Sequence, residues 1–246
     1  MSGGAESRGA GRAWALPLAL FLAFQGLYWL TASGRVDRMA DEFEVYLMTE
    51  SLVDRGRLSV PQLPEAAFFG RRGLDGEAYT PYGPGSAFLA LPHHLAGRAL
   101  AALVGVPRAD RASWTELVAA TTSLSNTTWA ALCVLATFFA LRALDASPRR
   151  AALGAALLGG ATALWPYATL FYSEPQSAAL LAAAVALHLR GRAALASLAA
   201  LALGLVKLSN AVAFPALCLL ALGDPREWRH TAGWPARLRA VLPFFL

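Results

Sequence analysis

The sequence predicts an all-α, polytopic transmembrane helical bundle of about six spans, with juxtamembrane helices in a large first loop on the outer face. Hydrophobic residues make up 57% of the 246-residue chain and charged ones only 15%, against about 25% charged in soluble domains. The apolar residues gather into runs long enough to cross a bilayer core, which takes roughly 20 residues as a helix. The net charge of +5 is almost entirely arginine, placed mostly in the short segments between those runs, where the positive-inside rule wants cations.

Residues 1–12 read as a cytoplasmic tail carrying Arg8 and Arg12. Residues 13–32 form the first span, longer than the apolar region of a signal peptide and followed by further runs, hence an uncleaved anchor. Residues 33–112 make the polar outer loop, and 113–222 hold the bundle, with apolar runs at 114–141, 151–171, 175–189 and 193–222. The run at 86–106 contains Pro92, His93, His94 and Arg98, which are costly at bilayer depth, so it reads as an interfacial helix. That parity gathers Arg142, Arg149, Arg150, Arg190, Arg192, Arg226, Arg229, Arg237 and Arg239 on the cytoplasmic side and leaves Arg108 and Arg111 outside. The run at 193–222 is too short for two full crossings, yet one crossing would strand the last arginines outside. A hairpin of two short helices, with Lys207, Ser209 and Asn210 near its tip, meets both demands, provided the irregular backbone is buried in protein or lines a wet cavity. Residues 223–246 read as a cytoplasmic loop and the opening of a further span cut short.

Several function classes are excluded. The pI of about 9.7 reflects loop arginines rather than a nucleic-acid surface. Cys133 and Cys218 lie in separate apolar runs, with neither disulfide nor zinc spacing. His93 and His94 lack metal-ligand spacing, and their polarity suits an interface. No phosphate loop, dinucleotide fingerprint or zinc motif occurs, so no nucleotide cofactor is expected. The composition, poor in lysine and rich in Ala, Arg and Gly, points to a GC-rich bacterial genome and to the cell membrane.

The residues left for chemistry sit on the outer face, each with a structural reading beside the functional one. Asp41-Glu42-Phe43-Glu44 opens a helix that runs to Arg55 and stops at Gly56. Asp41 suits an N-cap with Glu44 closing a capping box; alternatively, one of these acids acts on a substrate hydroxyl. The run from Asp75 to Gly85 reads as a turn-rich loop, in which Tyr79 and Tyr82 either stack on a sugar or join the interfacial aromatic belt. Ser173-Glu174-Pro175 is an ordinary helix start, but Glu174 shares the outer face with Asp41. Lys207 is the single lysine; inside an apolar run it either snorkels to the interface or meets a counter-charge such as phosphate. Asn126-Thr127-Thr128 matches a glycosylation sequon by chance, inside a span.

In order and side, these residues resemble the N-terminal half of the GT-C superfamily, the membrane glycosyltransferases that include protein O-mannosyltransferases and lipid A aminoarabinose transferases. The resemblance runs from residue 13 to 222. It rests on a first span, Asp41-Glu42 with Tyr46, Gly56, the turn Gly76-Glu77-Ala78-Tyr79, an amphipathic helix at 89–103, Glu174-Pro175, and Gly204-Leu205-Val206-Lys207 ahead of Pro215. Where the aminoarabinose transferases carry Lys-Pro, this chain has Tyr82-Gly83-Pro84-Gly85. The resemblance implies sugar transfer, usually inverting, from a polyprenyl-phosphate donor to a hydroxyl of a lipid, glycan or protein acceptor outside the cytoplasm. It implies Asp41 as general base or acceptor-orienting carboxylate, Glu42 as its neighbour, Glu174 as a second acid and Lys207 as the donor-phosphate ligand. Some members use a divalent metal and others none. A transporter or flippase of lipid-linked substrate is one rival, and a non-catalytic truncated paralogue or assembly subunit is another.

Overall fold

The computed structural model describes residues 3–61 and 70–223, with the isolated positions 235 and 239. The expectations for Arg226, Arg229, Arg237 and the segment 240–246 lie outside the described residues. Ten α-helices follow in order: α1 (Gly3–Thr31), α2 (Ala40–Arg55), α3 (Pro84–Leu103), α4 (Arg111–Ser123), α5 (Ser125–Ala143), α6 (Pro148–Ala161), α7 (Leu164–Ala168), α8 (Glu174–Leu189), α9 (Ala193–Val206) and α10 (Phe214–Leu222). A 3₁₀ turn, Leu208–Ala213, links the last two. The loop before α3 adds one short hairpin to this helical fold: β1 (Arg71–Arg72) and β2 (Ala78–Tyr79) pair antiparallel. The Asp-Gly turn folds the chain back, and Glu77 then ties the hairpin to Arg55 and Arg57 at 2.6 and 3.3 Å.

Among the described residues two helical stretches are long and apolar enough to cross a membrane, Trp14–Thr31 and Arg111–Ala143, rather than about six. The other apolar helices of the bundle run only 14, 16, 14 and 9 residues, because Pro, Gly and polar residues interrupt the apolar runs. Thus 151–171 breaks at Thr162 into α6 and α7, and 193–222 breaks at Lys207, whose backbone is extended. Past that break the chain turns back. A Cβ on Gly204 would lie 3.5 Å from the Phe214 ring, and Ala196, Ala199 and Ala200 share a buried cluster with Leu217 and Ala221.

Packing follows side-chain size. α5 lies at the centre, against α1, α6 and α8. The buried contacts are dominated by alanine: Ala130, Ala131, Ala151, Ala155, Ala179 and Ala184. Leucines of the same helices, including Leu153, Leu157, Leu195, Leu198 and Leu201, point outward and are at least half exposed. Small residues let helix backbones approach closely. At one such crossing the Tyr28 hydroxyl donates to the Gly159 carbonyl at 3.0 Å.

α2, α3 and α4 form a separate layer around Tyr46, Met48, Ala90 and Val118. His94 of α3 is fully buried there, its Nδ1 3.2 Å from Thr122 Oγ1 and its ring 5.7 Å from that of Tyr46. Burial, with the Arg98 charge adding to it, lowers its pKa to about 4. Arg98 itself reaches Asp54 on α2 at 2.5 Å. The charged groups at 86–106 are therefore spent on neighbouring helices.

This layer is locked to the bundle at one place. Pro84 and Gly85 begin α3 directly against the end of α9. A Cβ on Gly83 would lie 2.2 Å from the Leu205 carbonyl oxygen, and one on Gly85 would lie 2.5 Å from the Val206 nitrogen. Those atoms are backbone and cannot rotate away.

Gly85→Val is expected to lower stability by about 1–3 kcal/mol, the cost of overpacking, whereas Gly26→Ala, which meets nothing within 4 Å, leaves it unchanged; thermal unfolding in detergent compares the two. A second expectation concerns pH. The His94 pKa lies below its unfolded value, so stability holds above about pH 6.5 and falls between there and pH 4, by up to about 3 kcal/mol. The slope is absent from His94→Gln in the same measurement.

Candidate functional site

Four chain segments meet at the end of the bundle where α1 finishes: the start of α2, the turn before α3, the start of α8 and the break after α9. α2 begins two residues earlier than a capping box on Asp41 would require. Met39 occupies the N-cap, with no side-chain cap bond, and Asp41 falls inside the first turn. Asp41 lies close enough to the Tyr82 hydroxyl to help raise its pKa. Glu44 is fully buried.

Glu42 takes the structural role instead. One oxygen accepts from the Arg38 backbone N–H at 3.2 Å and the other from the Phe171 N–H at 3.0 Å. The Arg38 guanidinium stands 3.7 Å away. Glu42 has no exposed surface, and both of its oxygens accept backbone hydrogen bonds. It ties α2 to the segment leading into α8. Arg38 reinforces that tie by donating to Ser33 Oγ at 2.9 Å and to the Thr169 carbonyl at 3.4 Å.

Across the site Lys207 Nζ donates to Glu174 Oε1 at 3.0 Å. The side chains are 40% and 42% exposed, so the pair is screened by solvent and adds little to stability. The other carboxylate oxygen of Glu174 is buried and makes no hydrogen bond among the described residues. Lys207 is held there because its extended backbone ends α9. Asn210, one turn on, donates to Ser177 Oγ of α8 at 2.9 Å and to the Leu203 carbonyl at 3.0 Å.

Two phenols report that the halves of the site adjoin. The pKa of Tyr82 is raised, first by burial, then by its bond to Asp41 and by the charges of Asp41, Glu44 and Glu174. That of Tyr172 is raised by burial and then by Glu42, Asp41 and Glu174, with Arg38 opposing. Asp41 and Glu174 thus act on the same two hydroxyls. Tyr167 stacks edge-on to Tyr172, centroids 5.8 Å apart. An apolar cavity of about 330 Å³, lined by Cys133, Leu158, Leu164, Tyr167 and Pro175, opens beside Glu174.

Tyr79 is not brought into this group. Its hydroxyl donates to Asp75 at 2.7 Å within the β-hairpin, and its ring packs over Gly73. Among the described residues no group of three or more His, Cys, Asp or Glu side chains is arranged to hold a metal ion.

Asn126 is the residue that sequence reasoning passed over. It is fully buried in α5, where its amide donates to the Leu170 and Tyr172 carbonyls at 2.7 and 2.6 Å. Gln176 in turn donates to its side-chain oxygen at 3.4 Å. Together these bonds fix the 170–172 segment, from which Phe171 reaches Glu42 and after which Glu174 starts α8. The signal was present, since a carboxamide in an apolar run demands partners. Dismissing the sequon hid it.

No family model, curated protein or solved structure matches this chain.

Asn126→Ala leaves two buried carbonyls unsatisfied and is expected to cost about 2–4 kcal/mol. Glu174→Gln, at a half-exposed pair, shifts stability by less than about 1 kcal/mol. Parallel melting curves in detergent distinguish them.

Proposed function

We propose, first, that this chain is an integral membrane protein of the cell membrane, folded as a polytopic helical bundle of about six spans. The inverted distribution of size supports this: alanines fill the helix crossings while leucines face outward over most of the bundle, as expected where the surrounding medium is hydrocarbon. The charge distribution agrees with it. Arg142 ends α5 and Arg190 and Arg192 join α8 to α9, whereas the carboxylates gather where α1 and α9 end. By the positive-inside rule the arginine end is cytoplasmic and the carboxylate end extracytoplasmic. In this reading α6 with α7, and α9 with α10, complete crossings that no one of them is long enough to make alone.

Second, we infer that it is a glycosyltransferase of the GT-C type, moving a sugar from a polyprenyl-phosphate donor to an acceptor hydroxyl of a lipid, glycan or protein. The observation that carries this reading is the half-exposed Lys207–Glu174 pair set beside the Asp41–Tyr82 pair at the mouth of an apolar cavity. A screened ion pair is readily exchanged, so a donor phosphate displaces Glu174 from the Lys207 ammonium. The cavity beside Glu174 takes the first isoprenoid units of the carrier. Tyr82, held protonated, fixes one oxygen of Asp41 and leaves the other to accept the proton of the acceptor hydroxyl. The acceptor oxygen then forms a bond to the anomeric carbon from the face opposite the phosphate. The carbon–oxygen bond to phosphate breaks, and its electron pair leaves with the polyprenyl phosphate. Lys207 stabilises the charge developing on that leaving group. The anomeric configuration inverts and the proton rests on Asp41. Glu42, bound to two backbone N–H groups, keeps α2 in place and takes no proton.

The test is transfer from labelled polyprenyl-phosphate sugars in membranes containing the full chain. Asp41→Asn and Lys207→Ala are each expected to lower the rate by about a hundredfold or more, with unchanged melting temperatures. Absence of transfer by the parent chain, or undiminished transfer by both variants, overturns the reading. For the membrane arrangement, Asp41→Cys and Glu174→Cys are expected to react with an impermeant thiol reagent from the same side, and labelling from opposite sides defeats it.

A further inference from the structure

The cytoplasmic end of the bundle carries a second concavity, remote from the carboxylates. A cavity of about 510 Å³ is walled by Leu16 and Pro17 of α1, Phe138 and Phe139 of α5, and the guanidinium-bearing Arg142 and Arg190. Adjoining it is an apolar groove of about 250 Å³ between α5 and α8, lined by Leu132, Leu135, Ala179 and Ala183. Phe139 and Arg190 belong to both. The Arg190 guanidinium lies 4.9 Å from the centre of the Phe139 ring, so it stands where the two cavities adjoin. Arg142 donates to the carbonyl of Ala146 at its own helix end. Among the described residues neither guanidinium forms an ion pair. Two cations at the rim of one apolar slot ask for a molecule with an anionic head and a hydrocarbon tail.

We propose that this cavity and the groove adjoining it seat one anionic phospholipid of the cytoplasmic leaflet, its phosphate on Arg142 and Arg190 and an acyl chain along α5 and α8. Guanidinium binds phosphate oxygens in a two-pronged geometry that a carboxylate-free rim leaves open. The chain's own residues 224–246 are a poor occupant. They bring Arg226, Arg229, Arg237 and Arg239 against only Asp224 and Glu227, so their charge opposes that of the rim. The proposal needs the bilayer placement inferred above but not sugar transfer, and binding is measured without reference to activity.

The full chain, purified in zwitterionic detergent, is titrated with phosphatidylglycerol, phosphatidylcholine and glycerol phosphate and followed by native mass spectrometry. Phosphatidylglycerol is expected to bind in preference to phosphatidylcholine. The double variant Arg142→Ala, Arg190→Ala is expected to lose roughly thirtyfold in affinity, which is about 2 kcal/mol. The charge-matched Arg149→Ala, Arg150→Ala, whose side chains do not line the cavity, retains it. Equal losses in the two double variants would mean diffuse attraction and overturn the proposal. Competition by glycerol phosphate at the same concentration as the lipid would reassign the rim to a free phosphate, and does so too. A phosphatidylglycerol with a photoreactive acyl chain supplies a check on the unaltered protein. Crosslinks to Leu132, Leu135 or Ala183 support the seat, and crosslinks confined to other helices refute it.

Discussion

A contact between two stretches of backbone fixes everything else in the candidate site. The turn ahead of α3 runs so close to the end of α9 that neither Gly83 nor Gly85 has room for a methyl group, the nearest atoms being the Leu205 carbonyl oxygen and the Val206 nitrogen. Immediately before these glycines stands Tyr82, and immediately after Val206 stands Lys207. The approach therefore brings the partner of Asp41 and the partner of Glu174 within reach of each other. Without it, α2 to α4 would be a layer with its own core around Tyr46 and Val118, and the bundle would hold Lys207 and Glu174 alone.

A second set of constraints acts from the other side. Glu42 and Asn126 are both fully buried, and both hydrogen-bond to the backbone of residues 170–172. One comes from the outer layer and the other from the centre of the bundle, so the segment is clamped between them. Such groups are expensive if left unpaired and cheap when fully satisfied, which makes them strict about geometry. The reactive candidates differ in kind. Lys207 and Glu174 are half exposed, and the freedom that makes their ion pair weak also makes it exchangeable.

The two ends of the bundle divide labour by charge. Acids, phenols and the lone lysine collect where α1 and α9 end, and arginines collect where α5 and α8 end. In the reading proposed here the first end performs chemistry on a lipid-linked sugar, and the second holds the protein in register with the anionic leaflet. The same alanine-rich helices serve both, since thin crossings leave grooves between α5 and α8 that a hydrocarbon chain can fill.

Apolar runs and turn residues were enough to read the helical class, a helix running to Arg55 with its stop at Gly56, and the break at Lys207. Each of these depends on local composition and on the cost of polar groups in apolar surroundings, which a linear sequence carries in full. The sequence also put Asp41, Tyr82, Glu174 and Lys207 forward together. Only the folded chain decided which of the acids is free. Glu42 and Asp41 are adjacent and chemically alike, and their roles part because one faces the Phe171 amide and the other the Tyr82 hydroxyl. Tyr79 and Tyr82 part in the same way, through a hairpin whose two-residue strands are too short to show a period. Asn126 gained its meaning from carbonyls 44 and 46 residues away. Long-range backbone partners of this sort leave no mark in spacing or composition, because what selects them is the shape of the packed chain.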